Sequence, residues 1–77
     1  MNITIYGPGC ERCETTCRIV QDTLAEAGVA FELTKVADLD AIAQAGIRGT
    51  PAVAVNGQLK VFGEIPTRNE ILSWLGR

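Results

Sequence analysis

Two cysteines separated by two residues, Cys10 and Cys13, are the side chains of this 77-residue sequence whose type and spacing most directly indicate chemistry. A C-x-x-C pair can cycle between dithiol and disulfide, or it can supply thiolate ligands to a soft metal ion. A bridge between neighbours this close constrains the unfolded chain by only roughly 2 kcal/mol in the loop-entropy model, so a structural disulfide explains the pair poorly. The spacing therefore favours a redox pair, with metal binding as the alternative.

The position of the pair in the chain predicts different roles for its two cysteines. Cys10 follows a predicted strand and a glycine-rich loop and precedes a predicted helix. Unpaired N–H groups and the helix dipole at such a point favour the thiolate and lower its pKa. Cys13 lies about one helical turn further on, from where it can attack a mixed disulfide. We therefore predict Cys10 as the nucleophile and Cys13 as the resolving thiol.

A third cysteine, Cys17, lies four residues after Cys13 on the apolar stripe of the same predicted helix. We interpret it as a small buried hydrophobic residue. The alternatives are a second resolving thiol, or a third ligand beside Cys10 and Cys13 in a copper(I), zinc or arsenite site. The sequence contains no histidine, so a four-ligand zinc site would need a carboxylate or a second chain. The redox interpretation requires neither a metal nor an organic cofactor.

The elements that must hold these cysteines follow from the spacing of apolar residues and from turn and cap signals. Apolar patterning predicts four strands, at residues 2–6, 29–36, 51–55 and 58–62, and three helices, at residues 11–27, 39–45 and 68–75. The order β-α-β-α-β-β-α predicts one α/β domain over residues 1–77, in which helices cover both faces of a four-stranded mixed sheet.

Short-range signals define the ends of several of these elements. Asp38 is an expected helix N-cap, and Leu39 is expected on the buried face of the helix that follows. Thr67 and Glu70 have the spacing of a capping box. Asn56-Gly57 predicts a type I′ hairpin turn between the third and fourth strands.

A second motif, Gly46-Ile47-Arg48-Gly49-Thr50-Pro51, precedes the third strand, and the Asn56-Gly57 turn and Gly63 follow it. Together with the C-x-x-C motif and the element order, this arrangement resembles thioredoxins over nearly the whole chain. The short length looks most like the small thioredoxin-like redox-active-disulfide proteins of bacteria and archaea, and is similar to that of glutaredoxins. The resemblance implies a thiol–disulfide oxidoreductase that reduces protein disulfides or relays electrons, with disulfide-bearing proteins and a reductase as partners.

The resemblance also implies roles for residues outside the cysteine pair. In that superfamily the proline at the position of Pro51 is cis and lies beside the disulfide, and the backbone of Thr50 would pair with an extended substrate segment. Tyr6 takes the place of another aromatic residue and is a candidate auxiliary residue. Thr4 occupies the position of a buried aspartate used for proton transfer, and a threonine cannot titrate there.

Composition excludes several function classes. The net charge is −2 with no cluster of lysines and arginines, so a nucleic-acid partner is not expected. No apolar run is long enough to span a membrane, and the first residues do not resemble a signal peptide. An odd number of cysteines is typical of a reducing compartment, so we expect a cytoplasmic protein. We also expect it to be a monomer. The charged side chains of Arg12, Glu14 and Arg18 are expected on a solvated face, and Trp74 is expected to pack on the last helix.

Overall fold

The computed structural model of the chain describes residues 1–9 and 11–75. Its elements follow the predicted order: β1 (Asn2–Tyr6), α1 (Glu11–Glu26), β2 (Glu32–Val36), α2 (Leu39–Gln44), β3 (Ala52–Val55), β4 (Gln58–Phe62) and α3 (Arg68–Ser73). Within these residues, none of the helices combines the length and the apolar character that a membrane span requires.

The four strands form one mixed sheet in the order β2-β1-β3-β4. Strand β1 pairs in parallel with β2, so the chain must cross over through α1 between them. The pairs β1–β3 and β3–β4 are antiparallel, and β3 and β4 are joined by the hairpin. The predicted α/β class and four-stranded mixed sheet are confirmed.

Most of the core lies between the sheet and the helices α1 and α3. Its fully enclosed side chains come from the centre of the sheet and from the inner faces of these helices, and include Ile3, Val53, Val20, Leu24 and Ile71. Side chains alternate along a strand, so Ala52 and Ala54 of β3 point to the opposite face, where they are buried as well. Ile42 of helix α2 is buried too.

The predicted helix caps and the hairpin turn are confirmed. The side chain of Asp38 accepts a hydrogen bond from the N–H of Asp40 at the start of α2. Thr67 and Glu70 form both hydrogen bonds of the capping box at the start of α3. The hairpin residues Asn56 and Gly57 both have positive φ, 51° and 85°, as a type I′ turn requires.

The other predicted bounds agree with the structure to within two residues, but one strand start and one burial prediction are wrong. Strand β2 begins at Glu32 rather than at residue 29, because a Schellman motif ends α1: Gly28 has a φ of 72°, and the N–H of Val29 bonds to the carbonyl of Leu24. Leu39 is 66% exposed instead of buried, because the six-residue helix α2 turns only Ile42 into the core.

Candidate active site

The candidate site lies where β1 ends and α1 begins. After Tyr6 the chain passes through a turn in which Gly9 has a φ of 88°, a conformation that a residue with a side chain rarely adopts. Helix α1 then starts at Glu11. Cys10, the predicted nucleophile, lies outside the described residues. Its chain neighbours Gly9 and Glu11 are both exposed.

Cys13 is buried in the first turn of α1, with 5% of its surface exposed. Its side chain packs directly on the backbone of Gly7. A Cβ atom added at Gly7 would overlap the Cys13 Sγ and would lie 3.0 Å from the Cys13 Cβ. Gly7 is therefore required for the close approach of the turn and the thiol. Sequence spacing predicts a loop glycine here, but it does not reveal the contact.

Cys17 is buried in the main core, with 6% of its surface exposed, and the predicted burial of this thiol is confirmed. Burial raises its pKa above the ordinary value for a cysteine. The cation of Lys35 opposes that shift, and the carboxylate of Glu14 adds to it. The thiol is therefore protonated at neutral pH, and a protonated thiol is a poor nucleophile and a poor metal ligand.

One pocket brings the two described thiols together with two charged residues. Cys13, Cys17, Glu14 and Lys35 line it along with small or apolar residues of the neighbouring segments, Ile5, Gly7, Gly9 and Ala37. Lys35 was missed by sequence reasoning. The parallel register, which pairs it with Ile5 of β1, is the signal that brings it to the site. In residues 1–9 and 11–75 no three cysteine, aspartate or glutamate side chains are grouped as metal ligands. The metal alternative includes Cys10 and stays a prediction.

The segment before β3 forms the second half of the site. Thr50 is half-buried, Pro51 is buried, and the peptide bond between them is cis. The N–H of Gly63, just after β4, donates a hydrogen bond of 3.0 Å to the carbonyl of Pro51. Gly49 packs so closely on the same loop that a Cβ added there would lie 3.0 Å from the Gly63 Cα. The hydrogen bond from Gly63 and the close packing of Gly49 thus hold the segment Gly49-Thr50-Pro51, here called the proline loop, against the end of β4.

Arg12 connects the C-x-x-C motif to Gly63, the residue after β4 that is itself hydrogen-bonded to Pro51. Its Nη2 donates a hydrogen bond of 3.0 Å to the carbonyl oxygen of Gly63, across 51 residues of sequence. The side chain is exposed, as expected, but it is not simply part of a solvated face. No local pattern in the sequence indicates a bond between residues this far apart.

The other residues that the sequence singled out lie on β1. Tyr6 is half-buried and is paired in the sheet register with Ala52, the residue after Pro51. Thr4 is half-buried and pairs with Ala54. Tyr6 therefore lies at the edge of the proline loop, and its auxiliary role stays a prediction.

Comparison with known proteins gives consistent matches over nearly the full length. A family model described as a thioredoxin domain matches residues 1–76. A thioredoxin of Methanothermobacter thermautotrophicus is 35% identical over 71 residues, covering 92% of both chains. A thioredoxin of Methanocaldococcus jannaschii is 36% identical over 69 residues, covering 90% of this chain and 79% of the relative.

A solved structure has the same fold at lower sequence similarity. Thioredoxin 1 of the thermophilic eubacterium Thermosipho africanus superimposes with a TM-score of 0.61 at 18% identity. The match covers 99% of this chain and 96% of that one. This likeness supports the fold.

Proposed function

This chain belongs to the thioredoxin family, and we propose that it is a thiol–disulfide oxidoreductase that cycles Cys10 and Cys13 between dithiol and disulfide. Such a protein reduces disulfides in other proteins or relays electrons to them. The observation that supports this proposal best is the position of Cys13. Its thiol is buried in the first turn of α1, packed on Gly7 at the carboxyl end of β1.

The proposed reaction transfers two electrons from the protein to its substrate. The Cys10 thiolate attacks one sulfur of the substrate disulfide, the substrate S–S bond breaks, and the leaving sulfur takes a proton. The Cys13 thiol then gives up its proton, which the departing substrate sulfur takes, and attacks the Cys10 sulfur as a thiolate. This second step breaks the mixed disulfide, releases the other substrate thiol and leaves a Cys10–Cys13 disulfide. A reductase of the cell would return the two electrons.

Burial supports this division of roles. Cys13 is buried and therefore cannot readily reach external disulfides to attack them, as suits a thiol that reacts only with its neighbour. Cys10 lies between two exposed residues, Gly9 and Glu11, and α1 begins immediately after it. The N–H groups of that first turn favour a thiolate at this point of the chain.

The partners follow from the same proposal. Disulfide-bearing proteins are the substrates, and their extended segments would pair with the backbone of Thr50 beside Pro51. We propose that the protein works as a cytoplasmic monomer, as one domain over residues 1–77. Its thiol chemistry requires neither a metal nor an organic cofactor.

Counting thiols under mild oxidation tests the proposal. The wild type should lose two of its three free thiols and regain both with a reductant. Cys17→Ala is the matched control, and it should also lose two thiols. Cys10→Ser and Cys13→Ser should form no intrachain disulfide, and Cys13→Ser should accumulate a mixed disulfide with a protein substrate.

Two results would contradict the proposal. The first is a reversible disulfide that includes Cys17 in place of Cys10. The second is tight one-to-one binding of copper(I), zinc or arsenite by the wild type, lost in Cys17→Ala, with no disulfide reduction by either protein. The second result would assign the chain to the soft-metal alternative.

A further inference from the structure

We propose that Arg12 is a specificity-determining residue that selects peptide disulfides carrying a carboxylate next to the reacting sulfur. The inference rests on the proposed oxidoreductase function and adds a substrate class to it. It starts from the hydrogen bond between the Arg12 guanidinium and the carbonyl of Gly63, whose N–H is bonded to Pro51; this bond holds a cation of the C-x-x-C motif against a neighbour of the cis-proline segment.

The backbone of Gly63, which supplies the acceptor, is held in place by two further contacts. The Gly63 N–H is already bonded to the carbonyl of Pro51 at 3.0 Å. The Gly63 backbone also lies close to Gly49, where an added Cβ would be 3.0 Å from the Gly63 Cα. An arginine side chain normally loses considerable rotamer freedom when it binds a ligand. Because Arg12 is anchored on a firm acceptor, part of that entropy is lost before a substrate arrives.

The anchored guanidinium keeps most of its binding capacity. An arginine carries several N–H donors in a planar fork, and the bond to Gly63 uses one of them. Arg12 is exposed, and among residues 1–9 and 11–75 it takes part in no ion pair, whereas Arg68 pairs with Glu26. An exposed guanidinium with one donor in use can still bind an anion. A planar fork of this kind matches a carboxylate, which it can bind through two parallel hydrogen bonds.

The charges around Arg12 do not attract acidic substrates from a distance. The net charge of the chain is −2, and the exposed Glu11 and Glu64 neighbour Arg12 and Gly63 in sequence. Long-range attraction therefore does not favour acidic peptides. A preference for them must come from direct contact with the guanidinium, and it should disappear with that side chain.

Three synthetic peptides test the inference. Each contains one cysteine, flanked on both sides by glutamate, by glutamine or by lysine, and joined in a mixed disulfide to neutral pyridine-2-thiol. When the reduced protein attacks the peptide sulfur, the S–S bond breaks and pyridine-2-thione leaves with the electron pair and takes a proton. Its absorbance gives the second-order rate constant for each peptide.

We expect the wild type to react about fivefold faster with the glutamate peptide than with the glutamine peptide at low salt, the upper range for an exposed ion pair. Added salt should reduce that ratio. Arg12→Gln should bring the ratio close to one, and Arg12→Lys should keep part of it because the charge remains. Arg18→Gln is the matched control, since Arg18 is an exposed arginine further along α1, and it should keep the full ratio.

The ratio of the rate constants for the glutamate and glutamine peptides shows whether Arg12 binds the substrate carboxylate or only supports the structure of the site. If Arg12→Gln slows all three peptides equally, Arg12 acts only by holding the loop, and the inference is overturned. An equal rate of the wild type with the glutamate and glutamine peptides also overturns it. If no peptide reacts faster with the wild type than with Cys10→Ser, the proposed oxidoreductase function fails instead.

Discussion

Replacing Gly7 by alanine tests the packing that holds the Cys13 thiol. The backbone of Gly7 is not in the left-handed region, so an alanine is conformationally allowed there. The obstacle is the side chain of Cys13, whose Sγ occupies the position of the new methyl group and whose Cβ lies 3.0 Å from it. Gly7→Ala must therefore displace either the Cys13 side chain or the start of α1.

The expected cost follows from two opposing effects. An added methyl group in a packed site typically costs about 1–3 kcal/mol. A compatible change from glycine to alanine returns about 0.4–1 kcal/mol, because the unfolded chain loses freedom. We therefore expect Gly7→Ala to lower the free energy of unfolding by roughly 0–2.5 kcal/mol, and by about 1–1.5 kcal/mol at the middle of the two ranges.

A double-mutant cycle isolates the contact with the thiol. In a Cys13→Ala background the Sγ is absent and only the tight Cβ contact remains. Most of the cost of Gly7→Ala should then vanish, which gives a coupling free energy of about 1–2 kcal/mol between the two positions. Gly28→Ala is the matched control. It is strained by its φ of 72° but meets nothing within 4 Å, so its cost should be the same in both backgrounds.

Urea unfolding under reducing conditions measures the four free energies of the cycle. Trp74 is the only tryptophan and packs against the core, so its fluorescence reports global unfolding. Thiol-labelling rates of folded Gly7→Ala give a second readout, because a displaced Cys13 should be alkylated faster than in the wild type. A cost of Gly7→Ala that is equal in both backgrounds would refute the reasoning.

The remaining predictions concern the other cysteines and one helix cap. Cys17→Ala should cost on the order of 1 kcal/mol, measured by urea unfolding, because it removes one buried sulfur. The raised pKa of Cys17 means that the unfolded thiol ionises first, so the wild type should lose stability relative to Cys17→Ala as the pH rises above about 8.5. If the stability of the two proteins changes with pH in the same way, the raised pKa of Cys17 is contradicted. Iodoacetamide near neutral pH should label Cys10 before Cys13, and peptide mapping showing the reverse order would exchange their roles. Thr67→Ala should lower stability by about 1 kcal/mol by removing the capping-box acceptor, whereas Glu70→Gln, which keeps a side-chain oxygen, should cost less.

The sequence by itself determines the features that depend on neighbouring residues. The Asn56-Gly57 turn, the Thr67 capping box and the strand–helix alternation are each encoded within a few positions, and each is found where the pattern predicts it. The burial of Cys17 also follows from helical periodicity. Local patterns fail at Leu39, which is exposed although its spacing predicts burial. Periodicity alone does not tell which residues of a short helix face the core.

Only the tertiary structure decides which of these elements meet at the site. The contact of Gly7 with Cys13 depends on the path of the turn between β1 and α1. Lys35 reaches the thiol pocket through the parallel register of β1 and β2. Arg12 reaches Gly63 only because the antiparallel strands bring the end of β4 back beside the start of α1, across 51 residues. Such contacts depend on strand pairing and helix placement over the whole chain, and no local spacing of residue types encodes them.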